Sequence, residues 1–133
     1  MAKIFLSHSS KDKEAVRKLR NDLVENGFDV WFDEDKIGIG DEIISKIEEG
    51  LEETSYLIIW LTRHSVESGW VQREWESKIH DELKMKKTLV LPILAENCEI
   101  PKFLSSKKYA DFRENYEKGI RILITDLKKK QSL

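Results

Sequence analysis

The chain has 133 residues, 40% of them hydrophobic and 36% charged, with 23 basic and 25 acidic side chains and a net charge of −2. That length fits one domain with a proper core, and the dispersed, nearly balanced charge argues against nucleic acid as a primary partner. Cys98 stands alone, which excludes a disulfide framework and suits a reducing, cytoplasmic interior. No leader-like segment and no apolar run of spanning length is present, so neither export nor a membrane is expected.

In chain order, Ile4-Phe5-Leu6 reads as a buried strand, and Ser9 or Ser10 as the cap of the helix after it. Ala15, Val16, Leu19, Leu23 and Val24 recur at helical spacing, and Gly27 ends that helix. Phe28, Val30 and Phe32 alternate with Asp29 and Trp31, which predicts a half-exposed edge strand. A loop from Asp33 to Gly40 comes next. Ile43, Ile44, Ile47 and Leu51 then mark a second helix, with Asp41 as its expected cap. Tyr56 to Leu61 is the most apolar strand and the expected sheet centre. Val71, Trp75, Ile79 and Leu83 form the stripe of a third helix. Leu89 to Leu94 is another buried strand, which Pro92 suggests ends near that point. A short fifth strand near Tyr109 precedes a helix with Tyr116, Ile120, Leu123, Ile124 and Leu127 on one face.

Strands alternating with helices imply an α/β fold: a flavodoxin-like three-layer sandwich with a five-stranded parallel sheet in the order 2-1-3-4-5 and helices on both faces. Residues 1–133 read as one domain, either free-standing or cut from a larger protein. Ligands of such sheets bind beyond the carboxyl ends of the strands, where strand order reverses. Here Ser7 to Asp12 and Thr62 to Trp70 would bound that crevice, and Asp33 to Gly40 would overhang it. Trp70 and Glu74 lie four apart at the start of the third helix, so ring and carboxylate share a face, and Glu74 is outside the core stripe. The residues alone leave two readings open: a ligand pair at the crevice rim, or a packing tryptophan with a first-turn glutamate. Ser7-His8-Ser9-Ser10 is equally a helix cap or a set of free N–H groups for phosphate. Ile37 and Ile39, alternating with Gly38 and Gly40, suggest a docking surface. His8, His64, His80 and Cys98 lack metal-ligand spacing. The acids that a phospho-acceptor receiver domain needs after its first and third strands are missing.

Several stretches together resemble a Toll/interleukin-receptor (TIR) domain of bacterial type over essentially the whole chain. They are Ile4-Phe5-Leu6-Ser7-His8-Ser9-Ser10-Lys11-Asp12, then Val30-Trp31-Phe32-Asp33 leading into the long loop, and Ser68-Gly69-Trp70-Val71-Gln72-Arg73-Glu74. The last resembles the family's motif around a catalytic glutamate, usually Trp-Cys-x-x-Glu, with Val71 in place of the cysteine. The loop with Ile37, Gly38, Ile39 and Gly40 resembles the family's self-association loop.

The resemblance implies either of two activities. Some members cleave NAD⁺ at the nicotinamide–ribose bond; others are adaptors that assemble through their TIR domains. A glutamate at the matching position favours the first. Glu74 is then the candidate catalytic residue, and His8, Ser9, Ser10, Asp33, Thr62 and Trp70 are the substrate-binding candidates. NAD⁺ serves as substrate with no cofactor or metal, and activity depends on self-association, in prokaryotic immune signalling. A nucleotide sensor that binds without cleaving is the third possibility.

Overall fold

Short apolar runs become strands, and the amphipathic stretches between them become helices. The computed structural model describes residues 3–67 and 89–131, apart from the side chains of Ile44 and Phe103. In chain order the elements are β1 (Lys3–Ser7), α1 (Lys13–Glu25), β2 (Asp29–Trp31), α2 (Asp33–Lys36), α3 (Ile43–Glu52), β3 (Tyr56–Leu61), α4 (Arg63–Glu67), β4 (Leu89–Leu94), β5 (Ala110–Asp111) and a last helix, Tyr116–Gln131. The expected third helix, with Val71, Trp75, Ile79 and Leu83, lies outside the described residues.

The strands form one parallel sheet in the order β2-β1-β3-β4-β5, with β3 between β1 and β4 as its apolar run predicts. Both faces are covered. On one, Val16, Leu19 and Leu23 of α1 and Ile120, Leu123 and Leu127 of the last helix pack on Ile4, Leu6, Ile58 and Trp60. On the other, Ile47 of α3 joins Phe5, Trp31, Leu57 and Ile59. Each large aliphatic side chain removed from water contributes about 1.5–3 kcal/mol, so these two stripes hold the layers together.

Several expectations need correction. Ala15 and Val24 belong to the exposed side of α1, not to its core stripe. β2 is an edge strand but not half-exposed. Asp29 faces water, whereas Trp31 is buried, stacked on Phe5 with ring centroids 4.4 Å apart and planes 8° from parallel. Gly50 of α3 leaves room for that indole; a Cβ there would lie 2.6 Å from Trp31 Cε2. Asp41 does not cap α3. The cap residue is Glu42, without a side-chain bond, and the Asp41 carboxylate instead accepts from the Gly38 N–H. Pro92 does not end β4. Leu89 and Ala95 both donate to the β3 side, at Ser55 and Leu61, so by alternation the position of Pro92 has its missing N–H on the opposite edge. There β5 pairs only from Ile93 onward. A proline on such an edge costs no ladder bond.

α1 ends in a Schellman arrangement. Gly27 has φ +88°, and the Phe28 and Gly27 N–H groups donate to Leu23 and Val24 carbonyls. In the last helix Gly119 faces Phe112, and a Cβ there would sit 2.6 Å from the ring. Phe112 is wedged edge-on between Trp60 and Tyr116 and has nowhere to swing. Gly119→Ala is therefore expected to destabilise by about 1–2 kcal/mol. Overpacking strain of up to about 3 kcal/mol exceeds the gain in helix propensity of roughly 1 kcal/mol. Urea unfolding checks this, and an unchanged midpoint would contradict it.

Candidate active site

A pocket of about 320 Å³ opens beyond the carboxyl ends of β1 and β2, beside the place where strand order reverses between β1 and β3. Phe5, Trp31, Ile37, Ile43 and Ile47 supply its apolar lining, and Ser7, His8, Ser9, Ser10 and Asp33 the polar part. Four of the predicted substrate-binding residues, His8, Ser9, Ser10 and Asp33, thus meet around one cavity. The volume is at the small end for ligand sites, roughly 300–1,000 Å³, so it suits one ring with a sugar rather than a whole dinucleotide.

Neither Ser9 nor Ser10 caps α1 itself, whose cap position is Asp12 without a side-chain bond; Ser9 caps the turn before it. Its hydroxyl accepts from the Lys11 N–H at 3.3 Å and starts the short 3-10 turn, Ser10–Asp12, that leads into α1. Ser10 is exposed at the same turn. His8 is buried, its ring stacked on Phe32 at 5.4 Å. Its Nε2 lies 3.6 Å from Asp33 Oδ1, and its Nδ1 has no hydrogen-bond partner. Burial lowers the His8 pKa; Asp33 opposes this and Lys13 adds to it. The imidazole is therefore held neutral.

That depression makes stability depend on pH. Unfolded histidine takes up a proton near pH 6.5, whereas the folded chain resists, so unfolding binds a proton as pH falls through that value. The stability is fully present above about pH 6.5 and declines toward the lower folded pKa. Urea unfolding is expected to show wild type losing more stability than His8→Gln between about pH 7 and pH 5; parallel losses would overturn the assignment.

The segment after β2 is not the plain loop expected. Asp33, Glu34 and Asp35 begin the one-turn helix α2, and each pairs with a base on α1: Lys13 with Asp33, Arg17 with Glu34 at 2.8 Å, and Arg20 with Asp35 at 2.5 Å. Lys13 and Arg20 also lie over the Phe32 ring, each 5.2 Å from its centroid. Exposed pairs contribute little singly. Three in register, at steps of four and three along α1, align the start of the loop with the helix. A run of three acids after a strand, opposite a basic helix stripe, was the signal in the sequence. Beyond α2, Ile37 turns inward against the core and lines the pocket, while Ile39 is fully exposed at the tip. Gly38 is held by Asp41, and Gly40 has φ +88°, a conformation that favours glycine.

Thr62 is placed differently from the others. It is not part of the pocket lining. Its hydroxyl donates to Asp12 at 2.6 Å and accepts from the Ser65 N–H, while Ser65 Oγ accepts from the Thr62 N–H at 2.9 Å. This reciprocal cap starts α4 and ties it to the turn after β1. Trp70 and Glu74 lie outside the described residues. Ser7, expected at the edge of the crevice, lines the pocket, and so does the Phe5–Trp31 pair, which the sequence did not single out because only strand register puts it there.

A parallel sheet in this order, with helices on both faces and a pocket at its strand ends, defines a flavodoxin-like α/β fold. The family model for the TIR domain matches residues 4–124, and the chain belongs to that family. It is 38% identical over 90 residues to the 2′ cyclic ADP-D-ribose synthase BtTIR of Bacteroides thetaiotaomicron, covering 67% of this chain and 31% of that protein. It is 35% identical over 91 residues to the NAD(+) hydrolase TcpA of Theionarchaea archaeon (strain DG-70-1), covering 68% and 27%. The chain therefore spans about a third or less of the length of these relatives. Among solved structures, the RPS4 and RRS1 TIR domain heterodimer superimposes with a TM-score of 0.69 over 97% of each chain, at 10% identity. That likeness concerns the fold alone. Among the described residues no helix is long and apolar enough to cross a membrane.

Proposed function

We propose that this chain cleaves NAD⁺ between nicotinamide and ribose, releasing nicotinamide and an ADP-ribose, cyclic or conjugated product. The observation that carries the reading is the nucleoside-sized pocket at the strand ends, lined by His8, Ser9, Ser10 and Asp33. Support comes from relatives that are named NAD(+) hydrolase and 2′ cyclic ADP-D-ribose synthase. Nicotinamide in NAD⁺ is a cation that leaves as a neutral molecule. The C1′–N bond breaks with its electron pair going to the ring nitrogen, so no general acid is required, unlike glycoside hydrolysis with two carboxylates. Glu74 stabilises the oxocarbenium-like ribose that develops, by charge and by hydrogen bonds to its hydroxyls. Trp70 stacks on the pyridinium. Ser9 and Ser10 hold ribose or phosphate oxygens. A neutral His8 lets the cationic ring enter without repulsion, and Asp33 favours that charge. Water, the substrate's own adenine or another nucleophile then captures C1′ and loses its proton. NAD⁺ is substrate, and no resident cofactor is involved.

Activity depends on self-association through Ile37 to Gly40, with a neighbour's loop completing the pocket. The exposed Ile39 at the tip of a loop whose base is pinned to α1 supports this. The setting is the cytoplasm and prokaryotic immune signalling. The test is incubation with NAD⁺ over a range of protein concentrations, with products identified by mass. Nicotinamide release that rises more than linearly with concentration is expected. An adaptor that acts by TIR–TIR contact alone is the second reading, favoured by the same exposed tip. It predicts no NAD⁺ loss at any concentration, and partner binding sensitive to Gly40→Pro but not to Glu74→Ala.

A further inference from the structure

One polar atom of the pocket has no task in that mechanism. Ser7 is the last residue of β1, two positions after Phe5, so both side chains project to the α3 face of the sheet. Ser7 is 2% exposed, and its Oγ has no hydrogen-bond partner. An unpaired buried hydroxyl is costly, and folded proteins keep few of them. The surroundings do not call for one: Phe5, Trp31, Ile37 and Ile47 form an apolar slot that an alanine would suit as well. A hydroxyl kept there fits a polar group that arrives with a ligand.

We infer that Ser7 is a specificity-determining residue whose hydroxyl pairs with the carboxamide of the nicotinamide ring, seated in the slot formed by Phe5, Trp31, Ile37 and Ile47. This rests on the reading of NAD⁺ as substrate. A carboxamide is an uncharged donor and acceptor, and so is a serine hydroxyl, so the two satisfy one another without a buried charge. The volume of about 320 Å³ leaves the pyrophosphate and adenine outside.

The experiment compares kcat/KM for NAD⁺ with that for two analogues, one with an unsubstituted pyridinium ring and one with hypoxanthine in place of adenine. Wild type is expected to prefer NAD⁺ over the pyridinium analogue. Ser7→Ala should shrink that preference by about three- to tenfold, the size of one neutral hydrogen bond, without altering the hypoxanthine ratio. Ser7→Thr, which keeps the hydroxyl on a strand-favouring residue, should retain the preference. An unchanged preference in Ser7→Ala, or a shift in the hypoxanthine ratio instead, overturns the inference. A second arm needs no turnover: titration with free nicotinamide by NMR. Ser7→Ala should bind it about three- to tenfold more weakly, at an undiminished unfolding temperature. Equal binding, or none by wild type, also overturns the inference. If wild type binds nicotinamide but consumes no NAD⁺, the cleavage reading fails while the role of Ser7 stands.

Discussion

Replacing Phe32 by alanine is expected to lower stability by about 3–5 kcal/mol, the range for deleting a fully buried aromatic side chain. Whole domains are stable by only about 5–15 kcal/mol, so much of the native margin would go. Phe32 is completely buried in the cluster that joins β1, α1 and the last helix. It also carries the His8 ring on one contact and the charged ends of Lys13 and Arg20 on others. Its carbonyl accepts from the Asp35 and Lys36 N–H groups and so starts α2. Loss of the ring therefore empties the core and frees the cations that pin the loop. Phe32→Leu separates the two effects. A hydrophobe of similar size should cost less than about 1.5 kcal/mol, yet it offers no ring face to Lys13 or Arg20. Urea unfolding of both variants is the measurement. A cost near 1 kcal/mol for the alanine variant would show that the ring is not the joint described.

Glu74→Gln is expected to slow NAD⁺ cleavage by at least about 10²–10³-fold, the usual consequence of deleting one group that stabilises charge in a transition state. The substitution keeps side-chain size and removes only the negative charge. If the carboxylate acts on the oxocarbenium-like ribose, kcat should fall far more than KM changes, because intact NAD⁺ has not yet developed that charge. The unfolding midpoint should move little. Single-turnover release of nicotinamide at high protein concentration is the measurement, since a dilute monomer is expected to be nearly inactive. Turnover close to wild type would remove Glu74 from the chemistry.

The centre of the sheet was legible because β3 and β4 are apolar runs. Tyr56 to Leu61 needed no further information, whereas the full length of Leu89 to Leu94 needed the ladder that shows Pro92 on the edge without a ladder bond. The pocket lies at the strand ends, and His8, Ser9, Ser10 and Asp33 line it together. Trp31 was misread because alternation at an edge strand predicts a wet outer face, whereas Phe5 and Gly50 cover it. Thr62 was correctly placed after β3 but not on the pocket, because its hydroxyl is engaged by Asp12, fifty positions away in sequence.

By itself, then, the chain's periodicity determined the elements and the α/β class, while the strand order followed from the arrangement usual for a parallel sheet of this size. Periodicity is spacing along a single segment, and spacing is local. Only the tertiary structure decided that α2 is pinned to α1 by three ion pairs, that Ile37 turns inward while Ile39 stays out, and that Ser7 is buried without a partner. Ion pairs and hydrogen bonds depend on distances of a few ångströms between residues far apart in sequence. No local pattern encodes those distances.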